Sequence, residues 1–217
     1  HCSMLTGTLP LHHQVMDNSD YILGRDETTL AEILRDHGFA TAAFVSSFVL
    51  DAQFGLAQGF DLYDDELDDE VNTLGINERL GGETTKRALQ WLDDHQGDRS
   101  FLFLHYYDPH FMYEPPREFA EKFKDAPRLE HVTAEVATPL FGRYAGEIAY
   151  VDHCIGEVIA RLKQLGMYDS TLIIVTSDHG EMLGQHGEVS HGYYVYQPAV
   201  QVPLVVRIPG LAAASRV

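Results

Sequence analysis

Hydrophobic residues recur along the chain in two alternating periods. In the run TLAEILRDHG ahead of and including Gly38, Leu30, Ile33 and Leu34 fall at helical spacing, Thr28 or Thr29 can cap the start, and Gly38 can end the helix. Phe39 to Phe48 (FATAAFVSSF) follows at once, short, apolar and partly β-branched, and predicts a buried strand of about six residues. The same succession returns when Thr84 to His95 places Ala88, Leu89, Trp91 and Leu92 on one helical face ahead of a strand over Phe101 to His105 (FLFLH). Its third occurrence is the clearest. Tyr144 to Leu165 carries Ile148, Val151, Ile155, Val158, Ile159, Leu162 and Leu165 at three- and four-residue steps, and Gly166 closes the helix. After a turn over Met167 to Ser170, Thr171 to Thr176 (TLIIVT) reads as a strand covered on both faces. Val202 to Ile208 (VPLVVRI) reads as the last strand, with Pro203 near its start, where a missing donor is tolerated. Helices alternating with apolar strands predict an α/β fold, a mostly parallel central sheet with helices on both faces. Ligands of such sheets sit beyond the carboxyl ends of the strands.

Composition narrows the class without changing this picture. The 217 residues suit one large domain, or one with an appendage, at roughly 150 residues per domain. Hydrophobic residues make up 45% and charged residues 22%, which excludes disorder, collagen and a disulfide scaffold. Fifteen Lys and Arg against 33 Asp and Glu give a net charge of −18, so nucleic acid and anionic membrane are excluded as nonspecific partners and a metal cation would be attracted. No apolar run approaches the ~20 residues of a membrane span. Cys2 and Cys154 could form one bridge at most and do not decide the redox compartment. The acidic stretch Asp61 to Glu70 reads as a solvated loop or helix start, since it lacks the ligand spacing and central Gly of a calcium loop. No internal repeat or second domain boundary is visible, and a chain opening on His1 is expected to be a piece of a longer one.

Polar residues gather where the sheet rule says a ligand should lie. Ser177-Asp178-His179-Gly180-Glu181 follows the strand ending at Thr176, and Tyr106-Tyr107-Asp108-Pro109-His110 follows the strand ending near His105. Both deliver Asp and His to the same edge, although Asp and Pro also make turns with no chemistry. His179, His186 and His191 share one loop with Gly180, Gly184, Gly187 and Gly192, which can bend tightly enough to bring imidazoles together. Neutral imidazole binds divalent metals, protonated imidazole holds an anion, and either can move a proton near neutral pH. His37, His95, His131 and His153 lie in or beside helices or polar loops, where solvated or capping roles are expected.

Taken together, these residues resemble the sulfatase branch of the alkaline phosphatase superfamily, whose members hydrolyse sulfate, phosphate or phosphonate esters. His1-Cys2-Ser3-Met4-Leu5-Thr6-Gly7 resembles the S-L-L-T-G segment after the nucleophile, and Thr8-Leu9-Pro10-Leu11-His12-His13 the P-x-x-H stretch that follows. Thr29-Leu30-Ala31-Glu32-Ile33-Leu34 is similar to T-L-A-E-x-L, and Gln58-Gly59-Phe60-Asp61 contains G-F-D. The most specific match runs from Thr176-Ser177-Asp178-His179-Gly180-Glu181 through His191-Gly192 to Val202-Pro203-Leu204 and Pro209-Gly210. The resemblance implies one sulfatase-like catalytic domain over 1–217, incomplete at both ends, that hydrolyses sulfate esters, small anionic substrates, through a covalent intermediate. It also implies one divalent cation, calcium first, with manganese, magnesium or zinc as alternatives. Asp178 and His179 match the family's late pair of metal ligands. His110 matches the His that contacts the ester, and His191 stands where sulfatases usually keep a Lys on the sulfate and leaving oxygen, so both are assigned catalytic roles. His1, at the family's Arg position, and His186 are assigned to substrate binding. The resemblance leans toward an extracytoplasmic setting.

Departures from the pattern widen the expected chemistry. The C-x-P-S-R signature would end at His1, which places the nucleophile and the early acidic ligands upstream; Cys2 is not that cysteine, and Ser3 belongs by position to the helix behind the nucleophile. Relatives reading P-S-H include some with a Thr or Ser nucleophile, and the family's K-x-H pair has no counterpart in Phe44 to Phe54. Both changes favour phosphate or phosphonate esters, so a hydrolase or phosphotransferase of that type stands as an alternative. A non-catalytic anion-binding domain stands as another. The 217 residues by themselves are expected to show no turnover.

Overall fold

The computed structural model describes residues 1–18, 20–67, 77–126 and 134–211. Asp68 to Glu70 of the acidic stretch, and His131, lie outside the described residues. The chain falls into two compact units, His1–Asp108 and Pro109–Val217.

The first unit runs α1 (Cys2–Thr6), α2 (Pro10–His13), α3 (Leu30–Asp36), β1 (Ala40–Phe44), β2 (Leu62–Asp64), α4 (Gly81–Asp94) and β3 (Ser100–Leu104). Its three strands form a parallel sheet in the order β2-β1-β3, with Ala42 opposite Leu62 and Leu102. Of the two threonines able to cap α3, Thr29 does so. Its Oγ1 accepts from the Glu32 amide at 3.2 Å and its own amide donates to Glu32 Oε2 at 2.8 Å, a reciprocal pair that contributes about 1 kcal/mol. His37 and His95 accept capping roles at the ends of α3 and α4, where each Nδ1 lies within hydrogen-bond reach of the carbonyl four residues back, Ile33 O at 2.7 Å and Trp91 O at 2.9 Å. The G-F-D segment is fixed by close approach. Gly59, at φ 85°, passes the start of α3 so closely that a Cβ would meet the Glu32 nitrogen at 2.2 Å, and Asp61 Oδ2 accepts from the Thr41 amide at 3.1 Å. The core beneath gathers Leu5, Leu23, Ala31, Ala43, Val45, Leu50, Leu56 and Phe60.

Arg79 is buried, at 1% exposure, yet ionised. Every guanidinium nitrogen has partners. Nε donates to Thr84 Oγ1 at 3.0 Å, Nη1 to Asp64 Oδ1 and Glu66 O, and Nη2 to Val45 O at 2.8 Å. Arg87 of α4 adds a second guanidinium to Asp64 at 3.0 Å. The network ties the end of β2 to β1 and α4.

Asp108 closes this unit, and its Oδ2 accepts from the Gly81 amide at the start of α4 at 3.2 Å. Burial is the main cause that pushes its carboxyl up to about 6, and the Gly81 hydrogen bond opposes the shift. Between the ordinary carboxylate pKa of about 4 and this raised value, the folded chain keeps a proton that the unfolded chain has lost, so stability falls as pH rises through that window. Asp108→Asn keeps an acceptor for Gly81 without the buried charge. It is expected to raise unfolding free energy by about 1–2 kcal/mol at pH 7 and by almost nothing below about pH 4, as read from urea unfolding at the two pH values.

The second unit runs α5 (Arg117–Lys122), α6 (Ala134–Gln164), β4 (Ile173–Thr176), α7 (Gln197–Val200) and β5 (Leu204–Arg207). The helix over 134–164 starts well before the predicted Tyr144, because Pro139 and Gly142 interrupt the apolar period without stopping the helix. Gly142 admits the backbone of Phe123 and Gly146 the ring of Pro115, for a Cβ would lie 2.7 Å from Phe123 O and 2.9 Å from Pro115 Cγ respectively. Phe119 is buried in that seam with Tyr150 and His153 at ring distances of 5.3 and 5.6 Å. β4 pairs antiparallel with β5, Ile174 opposite Val206, and the apolar ribbon leaves Ile174, Leu204, Val205 and Val206 exposed in this chain, where the run had predicted cover on both faces. No helix among the described residues is long and apolar enough to cross a membrane.

Candidate active site

The end of β4 places the first two side chains. Asp178 Oδ1 accepts from the His179 amide at 3.0 Å, and Oδ2 lies 3.6 Å from His179 Nε2. His179 Nδ1 lies 2.8 Å from Gly180 O, and because a carbonyl can only accept, Nδ1 carries a proton and Nε2 is the ring nitrogen turned to the carboxylate side. Gly180 is required by the next contact: its amide donates to Ala199 O at 2.8 Å, and a Cβ there would lie 2.0 Å from Pro198 O. The turn is therefore clamped against α7.

Three imidazoles meet in this unit. The ring of His191 lies 3.8 Å from that of His179 and 5.9 Å from that of His110. His191 Nδ1 is 3.2 Å from both carboxylate oxygens of Glu181, whose side chain is only 5% exposed. Hydrogen bonding to Glu181 is the main cause that raises the His191 pKa, against the opposing effect of burial. His110 is shifted the other way, chiefly by burial, while its Nδ1 lies 2.6 Å from Phe111 O. Environment thus shifts the two imidazoles in opposite directions, His110 toward its neutral form and His191 toward its charged form.

The other assigned residues fall elsewhere. His186, at φ 57°, stacks on Tyr196 at 4.1 Å with planes 13° apart, outside the three-ring group. His1 is in the first unit, edge-on to His105 at 4.9 Å, and with Cys2 and Ser3 it lines a cavity of about 180 Å³ that also includes His13 and Asp17. Burial pushes the Cys2 thiol up, away from the reactive thiolate. Ser3 Oγ lies 2.9 Å from Nε2 of the buried His13, whose Nδ1 accepts from the Val15 amide at 3.2 Å. That amide fixes the proton on Nε2, so His13 donates to Ser3 and cannot act there as its base. Neither residue has the surroundings of a nucleophile.

Glu181 is the residue that sequence reasoning quoted but did not assign. Its ten-residue separation from His191 gave no local signal, whereas a carboxylate five residues past a strand end was visible. As for a metal, Asp178 and His179 offer one carboxylate and one oriented imidazole on the same side of a turn, a donor set that suits a divalent cation. Among the described residues no group of three or more His, Cys, Asp or Glu side chains forms a cage, so this pair by itself could supply only part of a shell.

Parallel strands alternating with helices in the first unit, and acidic and imidazole groups at the end of β4 in the second, each suit an α/β fold of the alkaline phosphatase type. Phosphonate monoester hydrolase from Silicibacter pomeroyi superposes with a TM-score of 0.69 at 24% identity, over 96% of this chain and 58% of that one, a likeness of fold. Residues 2–217 match the Sulfatase family, and the chain belongs to it. The multifunctional alkaline phosphatase superfamily protein PehA of Trinickia caryophylli is 32% identical over 167 residues, covering 58% of this chain and 32% of the relative. Choline-sulfatase of Rhizobium meliloti is 30% identical over 178 residues, covering 68% and 33%. The matched region spans about a third of these curated relatives.

Proposed function

We propose that the protein is a metal-dependent hydrolase of sulfate esters that works through a covalent intermediate. The observation that carries this reading is the convergence of His110 and His191 on the Asp178-His179 turn at the end of β4. In it, Asp178 and His179 hold a divalent cation, which when bound would neutralise anionic charge and act as a Lewis acid. Asp178 contributes oxygen and His179 contributes Nε2, the tautomer being set by Gly180 O. His191, shifted toward its charged form, presents a donor to the ester and its leaving oxygen, and His110, shifted toward its neutral form, stands beside it. His1 and His186 are assigned to the remainder of the substrate.

A second reading, phosphate or phosphonate monoester hydrolysis, is favoured by the imidazole at 191 and by the nitrogen ligand at 179. The test is to purify the full-length protein, strip it with chelator, restore calcium, manganese, magnesium or zinc singly, and assay 4-nitrophenyl sulfate, phosphate and phenylphosphonate. Chelation is expected to abolish turnover and one metal to restore it, with sulfate the fastest substrate. A faster phosphonate or phosphate ester would select the second reading. No turnover of any ester with any metal would overturn both.

A further inference from the structure

We propose that Glu181 is the positioning residue for His191, fixing which ring nitrogen meets the ester; the inference rests on the catalytic role proposed for His191. Both partners of His191 Nδ1 are carboxylate oxygens, each at 3.2 Å, so Nδ1 carries a proton in every charge state of the ring. Nε2 is then the nitrogen left to face a substrate. An imidazole in solution favours the opposite neutral tautomer, so the choice at 191 is imposed by its partner.

Glu181 can impose it because it is itself immobile. It is buried, and its Oε1 also accepts from the Met182 amide at 3.1 Å, which pins one oxygen to the backbone. The buried Tyr113 hydroxyl feels the same carboxylate, since Glu181 adds to burial in raising it. On the other side, the ring of His179 lies against that of His191 at 30° and the ring of His110 stands nearly edge-on at 74°. Carboxylate, face and edge together leave the imidazole one orientation. Glu181 touches no reacting atom in this arrangement and acts through His191.

The experiment uses the full-length protein and its Glu181→Ala, Glu181→Gln, His191→Ala and Glu181→Ala/His191→Ala forms. Two-bond proton–nitrogen spectra of 15N-histidine protein, taken after chelation at a pH where the ring is neutral, report the tautomer of His191 without needing turnover. Wild type and Glu181→Gln, which keeps an acceptor oxygen, are expected to show the proton on Nδ1, and Glu181→Ala to show it on Nε2. With the metal restored, Glu181→Ala should lose about 10–100-fold in kcat while KM moves by less than about threefold, and Glu181→Gln should recover most of that loss. In the His191→Ala background, Glu181→Ala should cost nothing further. The proton on Nε2 in wild type, an unchanged His191 spectrum in Glu181→Ala, a Glu181→Gln as impaired as Glu181→Ala, or an additive double variant would each overturn the proposal. If Glu181→Ala does not fold, the wild-type spectrum alone decides. An inactive wild type with the expected tautomer would overturn the proposed hydrolysis and leave the positioning geometry standing.

Discussion

His179→Ala in the full-length protein is expected to lower kcat/KM for ester hydrolysis by at least about 100-fold and to reduce the bound divalent metal. The size follows from charge. A metal acting as Lewis acid contributes several kcal/mol at the transition state, and about 2.7 kcal/mol already corresponds to 100-fold. Asp178→Ala should have a similar effect, because in the proposed site each residue would bring one ligand atom to the same turn. Stability provides the control. Both side chains are about 40% exposed, so neither truncation should move the unfolding free energy by more than about 0.5 kcal/mol. Metal content by elemental analysis, with initial rates on the best ester, checks the expectation. Undiminished hydrolysis by His179→Ala at full metal occupancy would remove these two residues from the site.

Asp64→Ala should produce the largest loss of stability, about 3–5 kcal/mol, because it leaves the buried Arg79 guanidinium without its carboxylate. Domains have only about 5–15 kcal/mol in all, so the variant would lie close to the limit of folding. Burial alone would raise the Asp64 carboxyl; hydrogen bonds from Arg79 and Arg87 outweigh it and hold the carboxyl below the usual range. Its stabilising effect is therefore full above the ordinary carboxylate pKa of about 4 and fades as pH falls through the lower folded value. Urea unfolding at pH 7 should show the whole difference, and a series descending below pH 4 should show it shrink. A loss under about 1 kcal/mol at pH 7 would mean that Arg79 finds other acceptors sufficient.

The elements legible in the sequence were those whose signal is local. The cap of α3 was legible to within one residue, as Thr28 or Thr29, together with the helix it starts, and Ala40–Phe44 and Ile173–Thr176 announced themselves as apolar runs. Direction of pairing was not legible, since Leu204–Arg207 would look the same beside a parallel neighbour as beside an antiparallel one. Arg79 was missed for a related reason: its partners, Val45, Asp64, Glu66 and Thr84, are scattered on either side of it and meet only in the fold. In the site, Asp178, His179, His191 and His110 were chosen from their places at strand ends and in the Gly-rich loop, and the structure groups them within one unit. His1 belongs to the other unit, and His186 packs on Tyr196. Glycine spacing could show that the loop bends but not which ring each bend would bring inward.

Gly180 and Glu181 are neighbours, and each ties down one end of the same excursion of chain, Gly180 through Ala199 and Glu181 through His191. The stretch between is a tether anchored at both feet, with Tyr193, Tyr194 and Val195 exposed along it. Closing a longer loop costs only about 0.6 kcal/mol per doubling of its length. Residues along the tether can therefore lengthen or be exchanged while the imidazole at its foot keeps its place, so the segment has room to diversify without disturbing the group it carries.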